Sequence, residues 1–144
     1  MKKIFFIVTM GIAVVFLSCS NNEESSQNGE QIKNTYGIEL VNNQKWEVNE
    51  EMMIHIENME SDIQSTSGEV DPNLEELGSK LDDHIGLLTS NCTMTGQAHD
   101  ELHKWLLPFI ELVSGLNEAS TGELQEESFQ LIKESMNEFN AYFK

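Results

Sequence analysis

An all-α chain whose main body is an antiparallel up-down four-helix bundle is what this 144-residue sequence predicts. Three observations lead there. From Trp46 onward, apolar residues recur at alternating steps of three and four, which places them on one face of a helix. The pattern breaks only near 67–71, 92–95 and 117–121, where Gly, Ser, Thr, Asn and Asp gather. Helix-start signals accompany the first and last of these breaks. Four helices of about 20 residues joined by short loops pack most simply as antiparallel neighbours.

The chain opens with the basic triplet Met1-Lys2-Lys3 and an almost unbroken apolar run over 4–17. That run is short for crossing a bilayer and reads as a secretory signal peptide. It ends Phe16-Leu17-Ser18-Cys19, which resembles a bacterial lipobox, with Phe16 where Leu is usual. The resemblance implies cleavage before Cys19 and lipidation (diacylglycerol and palmitate) of the new N-terminus. The plainer alternative is an ordinary signal peptide with a chance cysteine. The next residues, Ser20-Asn21-Asn22-Glu23-Glu24, resemble the serine-plus-acidic signal that sends some Gram-negative lipoproteins to the cell surface. The implied location is the cell envelope, anchored at the outer membrane, with periplasmic and surface sides both open. Residues 20–34 hold Ser, Asn, Glu, Gln and Gly with one Ile, too little apolar surface to order themselves, and read as a flexible tether. Tyr36-Gly37-Ile38-Glu39-Leu40-Val41 is a short lead-in with no role assigned by its sequence. The expected organisation is therefore a signal peptide over 1–18, lipidated Cys19 with tether and lead-in over 19–45, and the bundle over 46–144.

The first helical segment is expected over about 46–66, with Met52, Ile56, Met59 and Ile63 on its stripe. The second starts with Asp71 as N-cap and Pro72 in the first turn and runs to about 91. Its stripe is Leu74, Leu77, Leu81, His84 and Leu88. The third covers about 96–116, with His99, Leu102, Leu106, Phe109, Val113 and Leu116 in register. Pro108 lies inside it and is expected to kink it. The fourth opens on Ser120-Thr121-Gly122-Glu123, a capping-box pattern, and carries Phe129, Ile132, Met136, Phe139 and Phe143.

The formal net charge is −17. Loss of residues 1–18 would remove Lys2 and Lys3, leaving six basic against 25 acidic residues, or −19. Such a polyanion is not expected to bind nucleic acid, since phosphate contacts need Lys and Arg. With Cys19 lipidated, Cys92 has no partner for an intramolecular disulfide. It is then a buried apolar residue, a ligand or an oxidation-prone thiol.

The densest chemistry lies in Cys92-Thr93-Met94-Thr95-Gly96-Gln97-Ala98-His99-Asp100-Glu101-Leu102-His103. His99 and His103, four apart, leave one face of one helix and can grip one metal ion. Cys, Met and His together suit soft or borderline ions such as Cu(I) and Zn(II). Loop centres set the heights of the helices. They place His55 opposite about residue 83, His84 opposite about 104 and His103 opposite about 135. His55, His84, His103 and Met136 would then form one layer, with His99 one turn away and Met52 at its border. Cys92, about 12 Å along the axis from His84, would instead join Met94 and His99 in a looser site at the bundle end. Taken singly, each histidine reads more readily as ordinary packing, and each methionine as adaptable core filling.

Other chemistries fit less well. His99-Asp100-Glu101-Leu102-His103 lacks the Glu that a zinc-protease helix needs directly after its first His. Paired Glu-x-x-His motifs of a di-iron bundle are missing, and only Asp100-x-x-His103 comes near. Haem ligation by His84, His103 or Met136 would use an apolar slot between helices. No nucleophile elbow or phosphate loop is present, so no catalysis is expected. Segment 92–107 is similar to small exported bundle proteins of metal-handling settings, which implies sequestration or hand-over of copper or zinc, ahead of iron. Such a role implies an efflux or other envelope protein as partner. The competing expectation is a structural or interaction lipoprotein that holds no metal.

Overall fold

The computed structural model describes residues 34–144, so the signal peptide, Cys19 and the tether up to residue 33 lie outside the described residues. Four α-helices follow one another: α1 (Glu50–Ser67), α2 (Leu74–Ser90), α3 (Gln97–Glu118) and α4 (Gly122–Tyr142). α1 packs on α2, α2 on α3 and α3 on α4, with a smaller diagonal contact between α2 and α4. This is the up-down bundle that the sequence predicts. None of these helices is long and apolar enough to cross a membrane.

Local chemistry sets the helix starts. The Asn49 side chain accepts from Met52 N, so α1 begins at Glu50 rather than at Trp46. α2 is capped by Asn73, whose side chain accepts from Glu76 N; Asp71-Pro72 stays outside the helix. α3 follows directly on Gly96 at its N-cap position, whose φ of 72° suits a residue without Cβ. It continues through Pro108 as one helix. At α4 only half of the expected capping box forms. Thr121 is the cap and accepts from Leu124 N, which leaves Glu123 one position short of the reciprocal bond.

The stripes form the core. Met52, Ile56, Met59 and Ile63 of α1 meet Leu77, Leu81 and Leu88 of α2 and Leu102, Phe109 and Leu116 of α3, all buried. Ile85, not His84, takes the core position of α2. Trp105 is fully buried beside the α3 stripe. It stacks on Phe109 at 4.8 Å, meets Phe139 at 4.6 Å and donates from Nε1 to Ser135 O. An aromatic column thus joins α3 to α4, and Phe139 extends it to Phe143.

The lead-in is a strap with its own anchors. Two buried carboxylates bind its backbone: Glu138 accepts from Tyr36 N, and Glu101 accepts from Glu39 N. Lys104 Nζ completes the second anchor, donating to Glu101 at 2.9 Å and to Gly37 O at 3.1 Å. The Tyr36 hydroxyl donates to Ser135 Oγ at 2.8 Å, and Ile38 is buried. Asn42 and Asn43, both with φ near +55°, close a tight turn between Val41 and Gln44. Trp46 and Val48 then pair with the chain end, through Trp46 N to Tyr142 O, Lys144 N to Trp46 O and Val48 N to Lys144 O. Residues 46–48, expected to be helical, are therefore extended.

Candidate metal centre

The histidines do not form one layer. They form two pairs with different surroundings. His55 of α1 and His84 of α2 face each other with ring centroids 5.9 Å apart. His99 and His103 meet along α3 at 4.2 Å, edge to face. Among the described residues, no three His, Cys, Asp or Glu side chains stand ready around a common point for an ion.

The register of α2 against α3 explains the split. Asn117 Nδ2 donates to Gly78 O, and a Cβ on Gly78 would collide with the Asn117 side chain. Residue 78 thus lies opposite 117, not opposite about 110 as a turn centred on the loop would place it. His84 is carried past His103, and His103 falls level with Cys92. Residues 91–96 do not simply turn over the bundle end. They run beside the first two turns of α3.

The result is a cleft of about 380 Å³. Met52, Cys92, Met94, His99 and His103 all line it, over an apolar floor that includes Leu102 and Leu106. Three sulfur atoms and two imidazoles thus border one space. His99 and Cys92 are half-buried and His103 is exposed, so the rings and the thiol can turn into the cleft from its rim. The thiol is free. Asn49 ties this end together: its Oδ1 caps α1, while its Nδ2 donates to Thr93 Oγ1 at 2.7 Å. One side chain thereby fixes both the helix that carries Met52 and the loop that carries Cys92 and Met94. Nothing in the sequence patterning pointed to Asn49, although an Asn directly before two Glu is a recognisable helix start.

The second pair is more enclosed. His84 Nε2 lies 3.6 Å from Asp62 Oδ2, and Asn91 Nδ2 lies 3.4 Å from His55 Nε2. Both Nδ1 atoms are buried without a hydrogen-bond partner among the described residues. Buried ring nitrogens of this kind carry a desolvation cost that a partner would relieve.

Met136 joins neither pair. It is buried and borders a separate depression with Glu60, Ile63 and Ser67 of α1. It leaves α4 on the side facing α1.

The chain matches no protein-family model, and no curated protein or solved structure matches it.

Proposed function

We propose that the protein is a lipid-anchored envelope protein that binds a soft transition-metal ion, Cu(I) before Zn(II), in the cleft beside the start of α3, for sequestration or hand-over. One observation carries this reading: Cys92, Met94, Met52, His99 and His103 line a single space. Thiolate and thioether sulfur favour Cu(I), and imidazole serves either ion. Few alternative uses account for a free thiol, two thioethers and two imidazoles around one cleft at the end of a bundle. Two imidazoles from one face of one helix would lie on the same side of a haem iron, so they would not serve as its two axial ligands. The anchor rests on the lipobox-like Phe16-Leu17-Ser18-Cys19. The His55–His84 pair stands outside the cleft and supplies no ligand to it.

The test is competition for Cu(I) between metal-free protein and a chromogenic chelator under reducing conditions. His99→Ala, His103→Ala and Cys92→Ser are measured in parallel, with His55→Ala as a control outside the cleft. The three cleft variants should each weaken binding at least tenfold, and the control should not. Binding that survives all three at full affinity would mean that the acidic surface merely collects cations.

A further inference from the structure

Beyond Leu107 and Ile110, which also border the metal cleft, a larger groove runs between α3 and α4, with a volume of about 810 Å³. That falls within the range of small-molecule sites, about 300–1,000 Å³. Much of its lining is apolar. Leu107 and Leu131 remain 56% and 43% exposed there, beside Pro108 and Leu112. Tyr36 of the strap closes one end, held by Ser135 and Glu138.

The rim is charged with one sign. Glu111, Glu134 and Glu138 border the groove. The ion pairs of the described residues go to Glu76, Asp62, Glu101 and Glu47, and none reaches these three. Lys133, next to Glu134 in sequence, lies over the Phe129 ring instead. Burial pushes the Tyr36 phenol up from its ordinary value, and Glu138 and Glu134 push it in the same direction, as a local negative potential does. A fatty acid or other anionic amphiphile would meet repulsion at this rim. A neutral lipid would leave the carboxylates without a counter-charge.

From this combination we propose that the groove binds cationic amphiphiles: molecules with an aliphatic or aromatic body of drug-like size and a protonated amine. The body lies on Leu107, Pro108 and Leu131. The amine sits at the exposed carboxylates of Glu111 and Glu134, beside buried Glu138, where like charges held close together attract a cation. This site is separate in chemistry from the metal cleft and does not depend on it.

Isothermal titration of metal-free protein with decylamine, decanol and decanoate at neutral pH tests the proposal below their micelle concentrations. Decylamine should bind at least tenfold more tightly than decanol, with no detectable decanoate binding. The double change Glu111→Gln, Glu134→Gln should bring decylamine to the affinity of decanol and leave decanol unmoved. Leu131→Asn should weaken both by fivefold or more. All three positions are exposed. Circular dichroism checks that each variant folds, and Leu107→Ser replaces Leu131→Asn if the latter does not. Decanoate binding as tightly as decylamine would overturn the proposal, as would decylamine binding unchanged by the variants. So would the absence of binding by all three probes, or a dimer whose formation blocks the groove; the face would then belong to a protein contact.

Discussion

Tyr36 shows how one residue records its surroundings. Its hydroxyl donates to Ser135 Oγ, its backbone N–H donates to buried Glu138, and its ring borders the groove between α3 and α4. Burial raises its pKa, the Ser135 hydrogen bond works the other way, and Glu138 and Glu134 add to the rise. The folded chain therefore holds the phenolic proton more tightly than the unfolded chain does. The stabilisation is complete below the ordinary phenol value of about 10 and is lost as pH rises through the raised value. The chain has two tyrosines, so a Tyr142→Phe variant leaves Tyr36 alone in the ultraviolet titration. Its midpoint should lie above that of the unfolded chain and should coincide with release of the strap. A midpoint at or below the ordinary value would show that the strap does not pack as described. No sequence pattern marks these anchors. Glu138 and Glu101 lie 102 and 62 residues from the backbone they bind, and each looks like one more solvated carboxylate in an acidic chain.

At the scale of the element, helix existence and core face were legible, and register was not. The three- and four-residue spacing identified the buried apolar side chains of α1 to α4 apart from Ile85 and Trp105, because burial of an apolar stripe is a local demand. Leu106 belongs to that stripe and is 4% exposed. Replacing it with Ala should cost about 2–5 kcal/mol in chemical denaturation, and a loss within error would place the stripe on the wrong face. His84 shows the limit of the spacing rule. It and Ile85 both fit the stripe of α2, and Ile85 took the core because it has no polar atom to satisfy. Register failed for a different reason. The height of α3 depends on the path of residues 91–96, and a loop's path follows from tertiary bonds such as Asn49 to Thr93, not from its length. That bond can be separated from the helix cap. Asn49→Ala should lose about 0.5–2 kcal/mol of stability. Asn49→Asp keeps a capping oxygen but replaces the Nδ2 donor with a second acceptor. It should therefore retain most of the stability while loosening the loop that bears Cys92 and Met94, and Cu(I) affinity should fall in both variants. Wild-type affinity in the Asp variant would mean that the loop needs no tie.

For the molecule as a whole, fold and location are separate questions. The bundle places a sulfur-and-imidazole cleft at one end of α3 and an acid-rimmed apolar groove next to it between α3 and α4, with Leu107 and Ile110 bordering both. The candidate residues were visible in the sequence as types. Their grouping was not, because four histidines at similar expected heights became two pairs once α3 slid along α2. Anchoring is tested without reference to the fold: Cys19→Ala should move the protein from the membrane to the soluble fraction, and unchanged fractionation would sink the lipoprotein reading. The central claim is that sulfur and imidazole from the cleft share one ion. The most direct measurement is copper-edge X-ray absorption on protein loaded with one equivalent of Cu(I). The spectrum should show a mixed sulfur and imidazole-nitrogen shell, with the sulfur signal reduced in Cys92→Ser and the imidazole signal reduced in His99→Ala and His103→Ala. A shell of oxygen alone, or one unchanged by these three substitutions, would contradict it.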